Sequence, residues 1–245
     1  MTPPLARIGT AGWSIPRDCA DQLPGEGSHL HRYAAHLSAA EINSSFHRPH
    51  RRSTYERWAA SVPPGFRFAV KMPRTITHDR RLVDCQDLLV RFADEVAGLG
   101  DRRGPTLVQL PPSLAAPDEG DVRAFFAEVT ALLGPSIVLE PRHASWFGPD
   151  MDRLLAAAGV ARVAADPARL PEAAEPGGWA GLAYYRLHGS PVIYRSSYDD
   201  AAIAAHARRV AVCRAAGAEC WTIYDNTASG AAMANALELT SATVR

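Results

Sequence analysis

Arg67-Phe68-Ala69-Val70-Lys71-Met72 is the stretch on which the fold reading turns. A short run of β-branched and aromatic residues predicts a strand. Alternation then puts Ala69 and Lys71 on one face, with Phe68 and Val70 on the other. In a closed barrel the large apolar face packs on helices and the other face looks at the barrel axis. Lys71 is also the only lysine in the chain, every other permanently charged cation being arginine.

Seven similar runs flank it, at residues 6–11, 39–44, 106–110, 136–140, 161–166, 182–188 and 220–226. They alternate with Ala/Leu/Arg-rich segments of helical period, which is the signature of βαβ units and a parallel sheet. The expectation is an α/β fold, a TIM-type (β/α)8-like barrel formed as one domain over residues 1–245. Helices are predicted from Ser53, where Glu56 completes a capping box, and over 121–133, 150–158 and 199–216. Pro167, Pro171, Pro176, Gly177 and Gly178 crowd the connection after the sixth strand, so the helix there is expected to be degenerate. Residues 14–28 read as a loop over the first βα junction.

Composition narrows the function classes. With 26 basic and 26 acidic residues the formal charge is zero, so no overall field draws the chain to nucleic acid or to an anionic membrane. No apolar run reaches membrane-spanning length, and the opening residues lack the basic stretch and apolar run of an export leader, giving an expectation of a cytoplasmic protein. Cys19, Cys85, Cys213 and Cys220 are scattered without metal-ligand spacing and read as buried thiols.

Strand parity collects polar residues late in the strands, at the carboxyl-terminal face where barrel enzymes place their chemistry. Glu41 and Asn43 share a parity, as do Ala69 and Lys71; Gln109 and Glu140 close their strands. On the seventh strand Tyr184, Arg186 and His188 face together, and on the eighth Thr222, Tyr224 and Asn226 are expected to do the same. The catalytic candidates are Glu140, Glu41, His188 and Lys71. The substrate-binding candidates are Asn43, Gln109, Arg142, His143, Arg186, Tyr224 and Asn226, with Trp13 and Trp146 as stacking walls. Charged groups gathered in one space are costly to bury without purpose. The alternative is an ion network that only plugs the barrel top. Lys71 suits charge recognition better than amine chemistry, since no desolvating neighbour is evident in the sequence. Asp166, before Pro167, reads as an Asx turn or a carboxylate ligand.

Several ordered segments resemble the YecE-like family, whose name is domain of unknown function 72. They are Gly9-Thr10-Ala11-Gly12-Trp13, Glu41-Ile42-Asn43-Ser44-Ser45-Phe46, Phe68-Ala69-Val70-Lys71, Thr75-Ile76-Thr77-His78, Gln109-Leu110-Pro111-Pro112, Glu140 to Trp146, Arg186-Leu187-His188-Gly189, and Asp225-Asn226 with Asn235-Ala236. The resemblance implies a TIM-type barrel and supplies no substrate. The chain departs from the family's usual pattern at 16–19, at His47 and Pro141, and at Asp225, where a second Asn is common.

Three readings follow. The first is an enzyme acting by acid/base chemistry on a small polar, anionic or sugar-like substrate, as a hydrolase or isomerase and without a cofactor. The second makes Glu140, Asp166 and His188, with Glu41, ligands of a divalent metal. The third is a non-enzymatic anion or nucleic-acid binder using the basic rim of Arg48, Arg51, Arg52, Arg74, Arg80 and Arg81; a solvated arginine surface is the simpler account of that rim.

Overall fold

The computed structural model describes residues 6–244, so the opening residues read as leaderless lie outside it. In chain order the elements are β1 (Ala6–Ala11), α1 (His29–Ala34), β2 (Ala39–Ile42), the one-turn α2 (Ser44–His47), α3 (Arg52–Ala60) and β3 (Arg67–Lys71). A π-turn (Thr75–Asp79), α4 (Gln86–Val96), β4 (Arg103–Gln109), α5 (Glu119–Leu133), β5 (Ile137–Glu140) and α6 (Pro149–Ala157) come next. The chain ends with β6 (Val160–Arg162), β7 (Ala164–Asp166), the two-residue β8 (Gly177–Gly178), β9 (Leu182–Leu187), α7 (Asp200–Ala215), β10 (Glu219–Tyr224) and α8 (Ala231–Val244). No described helix is long and apolar enough to cross a membrane.

The strand order is β7-β9-β10-β1-β2-β3-β4-β5-β6-β8. β6 and β7 are consecutive pieces of the sixth predicted strand. β6 pairs in parallel with β5 and β7 pairs in parallel with β9, so this one stretch joins the two sides of the sheet and closes the barrel. The expected degenerate helix is a short 3-10 turn, Pro171–Ala174, followed by β8, which lies antiparallel against β6. Closure also needs close backbone approach. A Cβ on Gly9 of β1 would sit 1.9 Å from the Ala39 carbonyl oxygen of β2, so only glycine fits there.

Parallel strands covered on both faces carry two apolar layers. Phe68, Val70, Val108, Leu110, Ile137, Leu139, Tyr185 and Leu187 pack outward against the helices. Ala39, Ala69, Leu107, Val138, Ala161, Val163, Leu182, Tyr184, Trp221 and Ile223 fill the barrel interior. This matches the expected parity on β2, β3, β4, β5 and β9, and reverses it on β10. Residues side by side in parallel register share a face, and the register sets Trp221 beside Tyr184 and Ile223 beside Arg186. Trp221 and Ile223 therefore point inward, Trp221 stacking on Tyr184 with ring centroids 5.9 Å apart. The expected capping box of α3 is also absent: Arg51 holds the cap position and Ser53 lies inside the first turn.

Candidate active site

Two residues beyond each interior apolar side chain, the same parity delivers a polar one. Ala39 leads to Glu41, Ala69 to Lys71, Leu107 to Gln109, Val138 to Glu140, Tyr184 to Arg186 and then His188, and Ile223 to Asp225. All of these polar residues are buried at the carboxyl-terminal end of the barrel.

Arg186, fully enclosed, is the hub. Its Nε and NH2 groups donate to the two oxygens of Glu41 at 3.1 and 2.7 Å, one NH donates to Glu140 Oε2 at 2.6 Å, and another to Asp225 Oδ2 at 3.0 Å. Glu41 is completed by Tyr184, whose hydroxyl donates to Oε2 at 2.7 Å. Glu140 also accepts from Gln109 Nε2 at 2.8 Å and from Arg142 at 3.2 Å. Burial works against the Arg186 charge, but Glu41, Glu140 and Asp225 outweigh it and hold the guanidinium pKa well above its ordinary value. Burial would raise the carboxyl of Glu140; Arg186, then His188 and Arg142, overcome it and hold that group well below the carboxylate range. Asp225 is lowered in the same way, against burial, by Arg186, His188 and Lys71.

His188 stands between two carboxylates. Its Nδ1 is 3.0 Å from Asp225 Oδ2. Its Nε2 is 3.4 Å from Glu140 Oε1, off the line of a hydrogen bond, and has no hydrogen-bond partner among the described residues. Burial disfavours the imidazolium, yet Asp225 and Glu140 raise its pKa above the usual histidine value. A cavity of about 310 Å³ has Glu140, Arg142, Arg169, His188 and Tyr194 among its lining residues.

Lys71 differs from its neighbours. Its Nζ makes no hydrogen bond among the described residues and stands 4.3 Å from the centroid of the Phe46 ring. Burial, reinforced by Arg186 and opposed by Glu140, Glu41 and Asp225, lowers the ammonium pKa to about 8. The residue is 8 % exposed.

Other expected site residues lie elsewhere. Tyr224 points outward from β10, its hydroxyl meeting His206 of α7 at 3.0 Å, and Asn226 donates to Ser196 and Asn235 in the same outer layer. Trp146 is enclosed, its indole donating to the Leu114 carbonyl, so it packs rather than forming a wall of the mouth. Trp13 sets its ring edge-on to Trp58 and to Phe68, which faces the helices. His143 caps a 3-10 turn by accepting from the Ser145 amide. The Asn43 side-chain oxygen is enclosed and has no hydrogen-bond partner among the described residues. The Asp166 side chain has the outward parity of Ala164, and its carbonyl accepts from His188 N–H and the Tyr198 hydroxyl. The set Glu140, Asp166 and His188 is therefore not assembled, and among the described residues no three His, Cys, Asp or Glu side chains are disposed to hold a metal ion. Of the basic rim, Arg52 pairs with Glu56 and Asp94, Arg74 with Asp79, and Arg81 with Ser113.

Strand reasoning missed four contributors. Asp225 has Ile223's inward parity. Phe46, on α2, supports Lys71, and His78, in the π-turn, packs edge-on to Phe46 at 5.0 Å. Tyr194 sets its ring edge-on to His188 at 5.6 Å. The available signal was the motif pattern, which includes Phe46, His78 and Asp225 without explaining them.

The chain as a whole is similar to known proteins. The UPF0759 protein YecE of Escherichia coli K12 is 30 % identical over 175 residues, a match covering 69 % of this chain and 61 % of that protein's length. The crystal structure of a DUF72 family protein from Enterococcus faecalis superposes with a TM-score of 0.80 at 20 % identity, covering 98 % of this chain and 96 % of the other. A D-psicose 3-epimerase solved in the presence of D-fructose shares the fold more distantly, with a TM-score of 0.52 at 11 % identity over 88 % of this chain and 90 % of that one. The family described as "Protein of unknown function DUF72" matches residues 7–244, and with the barrel and its strand-end motifs this makes the chain a member of the YecE-like DUF72 family.

Proposed function

We propose that this protein is an enzyme that moves a proton on a small polar, anionic, sugar-like substrate, an isomerase-type reaction centred on His188. The observation that carries the reading is the arrangement around that imidazole. Asp225 orients Nδ1, while Nε2 makes no hydrogen bond among the described residues, stands 3.4 Å from Glu140 Oε1, and belongs to a residue that lines a cavity. A histidine oriented by a carboxylate and with its other nitrogen not committed to a hydrogen bond is equipped to give and take a proton near neutral pH. Arg142 and Arg169 border the same cavity and supply positive charge for an anionic substrate.

Glu140 and Glu41 serve this reading as fixed counter-charges rather than proton carriers. Their oxygens are occupied by Arg186, Tyr184, Gln109 and Arg142, and Glu140 stays ionised. The fold it shares with a D-psicose 3-epimerase agrees with a sugar-like substrate without specifying one.

The test is exchange of substrate carbon-bound hydrogen in D2O, followed by NMR across a panel of ketoses, aldoses and their phosphates. Protein-dependent exchange that falls at least about 100-fold in His188→Gln is expected, in line with loss of a general acid–base group. Absence of exchange throughout the panel, or full exchange in His188→Gln, overturns the reading.

A further inference from the structure

We infer that Lys71 captures the substrate's carbonyl covalently, as an imine, and that the substrate class is a hydroxylated aldehyde or ketone bearing negative charge. This rests on the proton-transfer reading above and assigns a covalent step at the same barrel mouth.

Every other buried charge in the cluster is tied down. Arg186 donates to three carboxylates, and those carboxylates accept from Arg186, Tyr184, Gln109, Arg142 or His188. Among the described residues Lys71 alone in this cluster has no hydrogen-bonding partner, although three carboxylates act on it from a distance. A lysine present to neutralise them would be expected to donate to one. Its amine instead rests against an aromatic ring supplied by Phe46, which is the desolvating neighbour that the sequence did not reveal. Ser45, next to Phe46, anchors the strand end by donating to the Lys71 carbonyl at 2.6 Å, so the lysine backbone and the ring it faces are held by one short helix. The amine is not among the enclosed, unpartnered polar atoms of the structure, so it remains reachable.

The charged groups around Lys71 come from several elements: Arg186 from β9, Glu140 from β5, Glu41 from β2, Asp225 after β10, and His78 from the π-turn. Burial, with Arg186 and against Glu140, Glu41 and Asp225, sets the pKa at about 8. Roughly one amine in ten is then unprotonated at pH 7, against about one in 2,500 for an ordinary lysine. A desolvated lysine beside another cation is the known route to an amine nucleophile.

The step balances without an oxidant or reductant. The Nζ lone pair attacks the carbonyl carbon, one Nζ proton passes to the carbonyl oxygen to give a neutral carbinolamine, and a second proton, from the solvent or the His188 imidazolium, lets that hydroxyl leave as water to form a protonated imine. The imine withdraws electrons from the adjacent C–H bond, and in this proposal His188 takes that proton and returns it. Hydrolysis of the imine releases the product and regenerates the amine.

Because Lys71 is the only lysine, the test is clean. The whole protein is incubated with dihydroxyacetone phosphate, or with uncharged dihydroxyacetone, and sodium borohydride, which reduces any imine. Intact mass and peptide mapping are then read, with Nα-acetyl-lysine as the reference amine. We expect one adduct, on the peptide bearing Lys71, that blocks tryptic cleavage after residue 71, forms at least about tenfold faster than on the reference amine at pH 7, and is fastest with the phosphate. The adduct is absent from Lys71→Arg. No adduct on wild-type Lys71, one on the terminal amine alone, or a rate equal to the reference overturns the inference. The two readings fail separately. Hydrogen exchange that persists in Lys71→Arg leaves the His188 reading standing and removes the imine; an adduct on wild-type protein that exchanges no substrate hydrogen does the reverse.

Discussion

Asp225 and His188 face each other at 3.0 Å, and the same Asp225 oxygen also accepts from Arg186 at 3.0 Å. One carboxylate atom therefore links the imidazole that lines the cavity to the buried guanidinium that organises the whole barrel mouth.

Removing that link with Asp225→Asn should lower the His188 pKa, because the largest contribution favouring the imidazolium is lost. The stability consequence has a definite sign. A histidine whose folded pKa is raised stabilises the fold fully below its unfolded value of about 6.5, and that stabilisation is lost as pH rises through the folded value. In Asp225→Asn the decline above about pH 6.5 should be shallower, with about 1.5–3 kcal/mol lost at pH 6 from the charged hydrogen bonds. NMR titration of His188 and urea unfolding across pH 5–8 check both; an unmoved titration contradicts the assignment.

Arg186→Met leaves Glu41, Glu140 and Asp225 buried together without their shared partner. Breaking a buried ion pair from one side costs about 3–5 kcal/mol, and here three carboxylates are affected. Arg186→Lys should recover little, since an ammonium cannot reproduce the fork that holds both Glu41 oxygens. Chemical unfolding of the two variants should place both well below wild type; a wild-type midpoint for either would show that the network is dispensable.

Lys71 runs the other way. Its folded pKa of about 8 lies below the unfolded value near 10.4, so the unfolded chain binds more protons between these values and stability rises with pH there. The burden of the buried ammonium is full below pH 8. Lys71→Met should therefore be as stable as wild type or more so at pH 7, by up to about 3 kcal/mol, and the gap should close by about pH 10.5. Paired unfolding curves at pH 7 and pH 10.5 test this, and a variant less stable at pH 7 than at pH 10.5 relative to wild type would contradict it.

Gly9→Ala should disrupt the barrel rather than the site. The added Cβ would meet the Ala39 carbonyl at 1.9 Å and the Tyr33 hydroxyl at 2.9 Å, where backbone cannot yield cheaply. A loss of more than about 3 kcal/mol, or failure to accumulate folded protein, is expected from forcing β1 and β2 apart. Circular dichroism melts read the outcome.

Motif and period carried far in this chain. The strands, the missing helix after the sixth, and the inward placement of Glu41, Lys71, Gln109, Glu140, Arg186 and His188 follow from alternation, which is a local property of extended backbone. The outer helices at 119–133 and 200–215 were legible for the same reason, within two residues.

Alternation does not say which face of a strand looks inward. On β10 the polar set Thr222, Tyr224 and Asn226 suggested one answer, and the register with β9 imposes the other, putting Trp221 and Ile223 into the interior and Asp225 into the site. A barrel interior is itself packed with apolar side chains, so polarity alone cannot identify it. The sequence by itself determined the barrel, its polar carboxyl-terminal end and most of the charges that gather there. Only the tertiary structure decided how those charges pair, that Glu41 and Glu140 are spent on Arg186, and that Lys71 is left with an aromatic ring in place of a carboxylate. Pairing depends on ångström distances between strands far apart in the chain, and those distances are set by closure of the whole barrel rather than by any one segment.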